Sequence, residues 1–427
     1  MSSAPTVQAG DAPAVRKREI FGWACFDFGN SAFTTVIITV VYAVYFVQVV
    51  AERDARAPGW WGTALAASQL LVIAVAPWLG AVADVTARKK RFLFGTALVC
   101  SGATAALFFA GAGEVALALA LVVVANVAFS LGENLCAAFL PEISTPENVG
   151  RVSAFGWAFG YLGGLVSLVL ALAIIQSGPG RVSWTFVMTG VFFLLASGPT
   201  LLLRERAQRR VLAAGESYVS LGWGRLAQMR RELPQHRTLA WFMAALTLYM
   251  AGLTAVVAFA SVFATETLHM TQSEVIVLFV VLQLAGVAGA YGFGWWQDRA
   301  GPKPVLVASL LQWVVVGGWA AFCGSKAEFY VIGVLAGSAM GSLQSAGRAV
   351  VATLTPAGRE GEFFGYWGFF TKLAAVIGQP VFGWIAAGFG FRMAALVNTG
   401  FFIAGLAILA GLRLRASTQE TTTAGGP

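Results

Sequence analysis

The stretch GAVADVTARKKR at residues 80–91 lies between two long apolar runs, and GWWQDRAGPKP at residues 294–304 lies between two others. Each stretch begins with a glycine, has an aspartate at its fifth position and continues with basic residues. The matching residues are Gly80, Asp84, Arg88 and Lys89 in the first stretch, and Gly294, Asp298 and Arg299 in the second. The two aspartates are half a chain apart, so the pattern predicts a duplicated helical bundle with a similar hairpin in each half.

The composition predicts an all-α integral membrane protein. Of its 427 residues, 58% are hydrophobic and 11% are charged, and the mean hydropathy is +0.75, whereas a soluble domain is roughly 25% charged. A membrane-spanning helix needs about 20 mostly apolar residues. The sequence contains twelve such runs, at about 20–50, 60–82, 92–112, 115–139, 152–177, 182–203, 239–264, 273–296, 304–323, 328–350, 362–388 and 391–412.

The net charge of +8 could indicate a nucleic-acid partner, but the positions of the charges indicate membrane topology. Most of the 28 Lys and Arg residues fall in alternate loops and near the two ends of the chain. Basic residues concentrate in the cytoplasmic loops of membrane proteins. The distribution therefore predicts a multi-pass protein of the cytoplasmic (inner) membrane with both termini in the cytoplasm, and it excludes nucleic acid as a partner.

The runs and the charged segments divide the chain into two six-helix halves. The predicted parts are a disordered N-terminal tail (1–19), an N-terminal bundle (20–203), a cytoplasmic central loop (204–238), a C-terminal bundle (239–412) and a cytoplasmic C-terminal tail (413–427). Within the central loop, Trp223, Leu226 and Met229 are spaced for a short amphipathic helix on the membrane surface. A plain solvated linker remains an equally good interpretation of that segment.

A second pair of stretches repeats with nearly the same offset. LPEISTPENVGRVSAFGWAFGYLGG (140–164) is echoed by ATLTPAGREGEFFGYWGFFTKLAAVIG (352–378), each a loop with a proline, Pro146 or Pro356, followed by a helix rich in glycine and aromatic residues. Two matching offsets predict a parallel repeat of six helices. Such repeats build the major facilitator fold of secondary transporters.

Three motifs resemble known families. GAVADVTARKKR resembles the helix 2–3 loop motif of the major facilitator superfamily, in which glycine, aspartate and basic residues recur at these positions. FDFGNSAF (26–33) and the stretch 139–164 resemble signatures of the bacterial relatives of fungal vacuolar amino-acid effluxers, the autophagy-related family. The resemblance implies a transporter, with export as the direction. It also implies that Asp84 and Arg88 form a latch that stabilises the outward-facing state.

Charged residues within the predicted spans are the main candidates for function, because a charge in the membrane interior is costly unless it is paired or hydrated. Asp27 and Glu133 lie in the N-terminal half, and Arg348 and Lys372 lie in the C-terminal half. One hypothesis is that a zwitterion bridges the halves, its ammonium near the acids and its carboxylate near the bases. The alternative is that the acids and bases pair with each other as a cytoplasmic gate.

Glu133 is the predicted proton-coupling residue, with Asp27 as the second candidate, because a carboxyl group in a low-dielectric cavity binds a proton more readily than in water. Asp27 could instead cap helix 1. Other candidates for lining a substrate cavity are polar or aromatic residues within the spans: Asn30, Ser31, Asn126, Asn134, Trp157, Tyr161, Gln344 and Gln379.

Some residues of the spans are predicted to have structural roles. The glycines of helix 5, Gly156, Gly160, Gly163 and Gly164, would let a neighbouring helix approach closely. Trp60 and Trp61 are predicted to anchor a helix end at the membrane interface. Lys89, Lys90 and Arg91 would act as topology determinants. The four cysteines lie in apolar runs without a CxxC spacing and are predicted to be buried.

The sequence offers no combination of residues that predicts an enzyme, a cofactor or a metal site. His236 and His269 lie in loops without a nearby nucleophile, and a phosphate-binding P-loop motif is missing. The prediction is therefore a proton-coupled secondary transporter that works by alternating access, as a monomer in the lipid bilayer, on a small amphoteric solute such as an amino acid or short peptide. An anionic solute, an amphipathic drug and a non-transporting membrane sensor remain alternatives.

Overall fold

The computed structural model describes residues 17–144, 148–206, 212, 216–355 and 359–412. Within these ranges, twelve helices are long and apolar enough to cross a membrane, and no strand occurs. They are α1 (Lys17–Val50), α2 (Ala57–Thr86), α3 (Lys89–Phe109), α4 (Val115–Ile143), α5 (Arg151–Gln176), α6 (Trp184–Leu202), α7 (Arg237–Leu268), α8 (Gln272–Ala300), α9 (Pro302–Phe322), α10 (Lys326–Leu354), α11 (Glu362–Phe389) and α12 (Phe391–Gly411). The predicted all-α membrane architecture is confirmed.

Parts of the sequence-based prediction lie outside the described residues. These are the N-terminal tail up to residue 16, the C-terminal tail 413–427, residues 207–211 and 213–215 of the central loop, and the repeated prolines Pro146 and Pro356. The helices alternate in direction, so the loops gather at two ends. We call the end with the α2–α3 connection and the central loop the basic end, and the end with residues 51–56 and 269–271 the far end.

Local signals set several helix ends. The Thr271 hydroxyl and Glu274 form a capping box that starts α8, and the Ser325 side chain accepts a hydrogen bond from the first turn of α10; such caps satisfy N–H groups that have no partner within the helix. The tight turns between α8 and α9 and between α11 and α12 use Gly301 (φ 81°) and Gly390 (φ 84°). Only glycine adopts this left-handed backbone at little cost.

In the N-terminal bundle, α5 packs directly on α1 through its predicted glycine face. Gly156 lies against the Trp23 ring, Gly160 faces Ser31, and Gly163 lies against the Phe28 carbonyl group. A Cβ atom on Gly163 would overlap that carbonyl group. Small residues therefore bring the two backbones together, as their spacing predicts.

Helix α1 departs from regular α-helical geometry towards the far end. Residues Phe33–Val40 and Phe46–Val50 form π-helical turns, with the Val41 N–H donating to the Val36 carbonyl at 2.8 Å. The carbonyl groups of Thr39 and Val40 accept hydrogen bonds from Ser261 of α7 and, at 2.9 Å, from Gln272 at the start of α8. The distortion of α1 thus supplies acceptors to the C-terminal bundle.

These contacts belong to a seal that joins the two bundles at the far end. Gln48 donates to Glu266 at 2.8 Å, the Trp61 indole donates to the Ala258 carbonyl at 3.3 Å, and the Trp384 indole donates to Thr63 at 3.0 Å. We call this set of α1–α7, α1–α8, α2–α7 and α2–α11 contacts the far-end seal. It closes the space between the bundles on that side.

The seal corrects one prediction. Trp61 was expected to anchor α2 at the membrane interface, but its side chain is fully buried between the bundles. Trp60 is partly exposed and lies under the Arg56 guanidinium, whose carbon is 4.9 Å from the ring centroid. Two adjacent tryptophans on a helix point about 100° apart, so the two can have different surroundings.

The central loop contains a helix, Tyr218–Glu232, which we call the linker helix. Gly222 lies against the backbone of Pro77 and Trp78 in α2, and Met229 is buried. Trp223, however, is 46% exposed. Of the two interpretations of this segment, the helix is the one observed, and it packs on α2 at Gly222.

Candidate functional site

The four charged residues predicted within the spans lie on four helices, two from each bundle. Each residue is in the half of its helix that is nearer the basic end. Asp27 of α1 is partly exposed and Glu133 of α4 is exposed, while Arg348 of α10 and Lys372 of α11 are partly exposed. Glu133 is close enough to both Asp27 and Lys372 for its charge to act on them. The structure thus brings two acids and an opposing lysine into one region between the bundles.

The acids and bases are not ion-paired with each other. Neither Asp27 nor Glu133 has an oxygen within salt-bridge distance of Arg348 or Lys372, although all four side chains are described. A closed gate built from these residues would require such pairs. In this conformation the charges are therefore available to a ligand or to solvent.

Asp27 does not cap α1, because the helix begins at Lys17 and Asp27 lies well inside it. Its carboxylate faces α5, where a Cβ on Gly156 would lie 3.2 Å from Asp27 Oδ2. Ser31 donates to the Asp27 main-chain carbonyl at 2.8 Å, so its hydroxyl is engaged within the helix. Asn30 is buried, and its Oδ1 atom has no hydrogen-bond partner; a buried acceptor of this kind is suited to a polar ligand or water.

Arg348 has an aromatic environment. Its guanidinium carbon lies 5.0 Å from the centroid of Trp157 in α5 and 6.0 Å from that of Trp367 in α11. The Trp157 and Tyr161 rings are 6.1 Å apart, and Tyr161 is close enough to interact electrostatically with Arg348. Gln344, one turn earlier on α10, is partly exposed beside it. Trp157, Tyr161, Gln344 and Arg348 therefore share one region.

Trp367 is the residue that sequence reasoning missed. It stands as far after Pro356 as Trp157 stands after Pro146, so the two tryptophans occupy equivalent positions of the predicted repeat. Both tryptophans lie within the two repeated stretches, so a residue-by-residue alignment of those stretches would have identified Trp367.

The remaining predicted cavity residues lie in other places. Asn126 donates to Ser68 at 2.5 Å inside the N-terminal bundle, so it belongs to that core. Asn134 is exposed on α4. Gln379 is buried where α11 packs on Gly62 of α2, near the far-end seal, and its Oε1 atom has no partner.

At the basic end, the first loop motif forms an ion-pair network. Lys89, which begins α3, pairs with Asp84 at 3.3 Å and with Glu142 of α4 at 2.9 Å. Arg88, the expected partner of Asp84, is exposed. Gly80 has open space around the position of a Cβ. The latch of Asp84 with Arg88 in the outward-facing state stays a prediction.

The network extends into the central loop. The Arg206 N–H donates to Glu142 at 3.0 Å, and the Arg206 guanidinium pairs with the buried Glu19 of α1 at 2.8 Å. These contacts tie the basic ends of helices within the N-terminal bundle, together with the residues that leave it.

The second loop motif does not repeat this arrangement. Asp298 is exposed, and the Arg299 guanidinium carbon lies 3.7 Å from the Trp295 ring centroid. Lys303 donates to the Leu412 carbonyl at the end of α12. Open space also surrounds the Cβ position of Gly294. The two hairpins are thus similar in sequence and position but differ in their contacts.

A further basic-end cluster joins the linker helix to the C-terminal bundle. Arg359, which precedes α11, pairs with Glu232 of the linker helix and, at 2.7 Å, with Glu362. The hydrogen bond from Arg359 holds the pKa of the Glu232 carboxyl below its usual value. Because the linker helix also packs on α2, this cluster connects the two bundles at the basic end.

All four cysteines are buried, as predicted, and in the described ranges no group of His, Cys, Asp or Glu side chains is arranged to hold a metal ion.

Comparison with known proteins places the chain among transporters. Residues 147–422 match the family model described as vacuole effluxer Atg22 like. The chain is 25% identical over 412 residues to the MFS-type transporter YxiO of Bacillus subtilis, covering 93% of this chain and 95% of that protein. It is 28% identical over 297 residues to autophagy-related protein 22 of Yarrowia lipolytica, covering 61% of this chain and 50% of that protein. The chain therefore spans about half the length of this fungal relative.

Solved structures support the same fold. A variant of the nucleoside transporter NupG superposes with a TM-score of 0.72 at 13% identity, covering 92% of this chain and 99% of that one. An inward-facing bacterial homolog of the human lysosomal transporter Spinster gives a TM-score of 0.70 at 14% identity, covering 93% and 96%. At such identities the likeness shows the fold alone. Together with the family match and the twelve spans, it shows that the chain belongs to the Atg22-like vacuole effluxer family and is a membrane transporter of the major facilitator type.

Proposed function

We propose that this protein is a proton-coupled secondary transporter that moves a small amphoteric solute, such as an amino acid or a short peptide, by alternating access. The observation that carries the proposal is the placement of opposite charges. Two acids on the N-terminal bundle and two bases on the C-terminal bundle lie between the bundles without salt bridges to one another. A zwitterion can interact with both sets, and its binding would offset the cost of holding those charges within the membrane.

In this proposal the basic end faces the cytoplasm, in accord with the positive-inside rule, so both termini are cytoplasmic and the protein lies in the cytoplasmic membrane. The far-end seal then closes the outer side, and the conformation described here opens inwards. Residues 20–203 would rock against residues 239–412 about the charged site, and the protein would act as a monomer.

Glu133 is the proposed proton carrier, and Asp27 is the second candidate. Glu133 is exposed and its charge acts on both Asp27 and Lys372, so its protonation would change the field felt by both residues. Export is the proposed direction because the matching family is described as a vacuole effluxer.

An anionic solute is the second candidate cargo. It is favoured by the bases of the C-terminal bundle, since neither Arg348 nor Lys372 forms a salt bridge with the acids across the site. This solute would interact with both bases, and the two acids would bind protons only.

A thermal-shift screen of the purified full-length protein separates these proposals, because a ligand that binds the folded state stabilises it by mass action. The panel contains amino acids, dipeptides, organic anions, lipophilic cations and nucleosides, at pH 5.5 and 7.5. We expect zwitterions to stabilise the protein and Lys372→Ala to abolish or weaken that effect. Stabilisation by organic anions alone would favour the second candidate, and stabilisation by lipophilic cations alone would contradict both.

A further inference from the structure

We propose that Arg348, which lies close to the Trp157 and Trp367 rings, binds the carboxylate of the solute. This inference rests on the proposed function and deepens it. It names a planar carboxylate as the required group of the solute and Arg348 as the base that recognises it.

The guanidinium group of Arg348 lies near two indole rings. Its carbon lies 5.0 Å from the Trp157 centroid and 6.0 Å from the Trp367 centroid, both within the range of cation–π interactions. Indole rings interact with a guanidinium through its flat faces, whereas its five N–H groups lie in its plane. The rings can therefore hold the side chain in place and leave an N–H edge for an anion.

Among the described side chains, no acid occupies the guanidinium group of Arg348. Arg348 forms no salt bridge with Asp27, Glu133 or any other acid whose side chain the structure describes. Its neighbours are instead the aromatic rings, Tyr161 and Gln344. An arginine edge without an acid partner can form two parallel hydrogen bonds to a carboxylate, which a lysine cannot do.

Arg348, Trp157 and Trp367, which we call the clamp, come from both bundles. Trp157 belongs to the N-terminal bundle, whereas Arg348 and Trp367 belong to the C-terminal bundle. The two tryptophans occupy equivalent positions of the sequence repeat. An anion at Arg348 is therefore bound where the bundles meet, so its binding and release can respond to their relative movement.

Lys372 has different surroundings. Neither of the two cation–π contacts that Arg348 makes with Trp157 and Trp367 involves Lys372. A lysine ammonium is a compact, strongly hydrated charge without a preferred planar partner. Of the two bases, Arg348 is therefore the one suited to recognise the shape of a carboxylate.

The test measures binding of leucine and phenylalanine to purified full-length protein by thermal shift and by calorimetry, beside leucinamide and phenylalaninamide, which lack the carboxylate. We expect the amino acids to bind and the amides to bind at least tenfold more weakly. Arg348→Lys should weaken amino-acid binding by about tenfold, because it removes the bidentate edge.

The tryptophans act as positioning residues, and conservative variants report this role. Trp157→Ala and Trp367→Ala should each weaken amino-acid binding by roughly three- to tenfold, while Trp157→Phe and Trp367→Phe should restore most of it, because a phenyl ring retains a cation–π face. Arg56→Lys is the matched control, since Arg56 lies 4.9 Å from the Trp60 ring at the far end. It should leave binding unchanged.

The outcomes separate this inference from the proposed function. Amino-acid binding that survives Arg348→Lys but is lost in Lys372→Ala would overturn the clamp and leave the amphoteric transporter in place. Equal binding of acids and amides would also overturn the clamp. If neither amino acid binds the wild-type protein, and the dipeptides and other amino acids of the screen also fail, the proposed function itself is wrong.

Discussion

The exposed carboxylate of Glu133 permits a direct test of proton coupling. Glu133→Gln keeps the size of the side chain and removes its ionisation, so we expect the response of transport to a pH gradient to be lost. Solute flux in proteoliposomes, with and without a pH gradient, measures this. Glu114→Gln is the control, because Glu114 lies at the far end, where its side chain accepts a hydrogen bond from the Gly111 N–H. A normal gradient response in Glu133→Gln would exclude Glu133 as the carrier.

Individual charges in the spans were predictable from the sequence, because ionisable residues are rare there and their helix positions follow from residue count. Their partners were less predictable. Asp84 pairs with Lys89 and not with Arg88, and Trp61 is buried in the seal, because such contacts depend on the rotation of each helix. Sequence pattern fixes that rotation only to within a residue or two.

At the scale of single elements, the contact between α1 and α5 makes a quantitative prediction. Gly163→Ala places a methyl group against the Phe28 carbonyl group, so the helices must separate, and we expect a loss of about 1–3 kcal/mol of stability, the usual cost of overpacking. Thermal unfolding in detergent measures the loss.

Gly95→Ala is the matched control for this variant. Gly95 lies inside α3 with open space around its Cβ position, and alanine favours a helix by up to about 1 kcal/mol over glycine. This variant should be neutral or more stable. Equal effects of the two substitutions would contradict the close-packing explanation.

The twelve spans were predictable because each is a long apolar run, and the glycine face of α5 was predictable from its spacing. The π-helical turns of α1 were not. Residues 33–40 are β-branched Thr, Val or Ile after the first residue, Phe33, and such a composition does not distinguish a π-helical from an α-helical turn. In the distorted part of α1, the carbonyl groups of Thr39 and Val40 accept hydrogen bonds from Ser261 and Gln272. These two residues are more than two hundred positions away in sequence.

At the scale of the whole molecule, the Glu232–Arg359 contact between the linker helix and the start of α11 predicts a pH dependence. Arg359 lowers the pKa of Glu232 in the folded protein, so the contact stabilises the protein fully above the pKa of an unfolded glutamate, about 4.3. That contribution is lost as the pH falls towards the lower folded value.

Glu232→Gln removes this titration. We therefore expect the difference in thermal stability between wild type and Glu232→Gln to be largest near pH 7 and to shrink below about pH 4.3. Glu52→Gln, in the loop at the opposite end, is the control. A difference that grows on acidification would contradict the assigned direction of the pKa shift.

The far-end seal provides the final prediction, because alternating access requires it to open. Ser261 donates to the Thr39 carbonyl, so the two residues are near enough for cysteines at these positions to be joined by a short, reducible bis-thiosulfonate cross-linker. Cross-linking of a Thr39→Cys, Ser261→Cys double variant should fix the seal and abolish transport, while binding of amino acids from the basic end remains. The four native cysteines are buried, and either single variant, treated in the same way, serves as the control.

Recovery of transport after reduction would show that opening of the seal is the blocked step, whereas undiminished transport by the cross-linked protein would contradict rocking about the charged site.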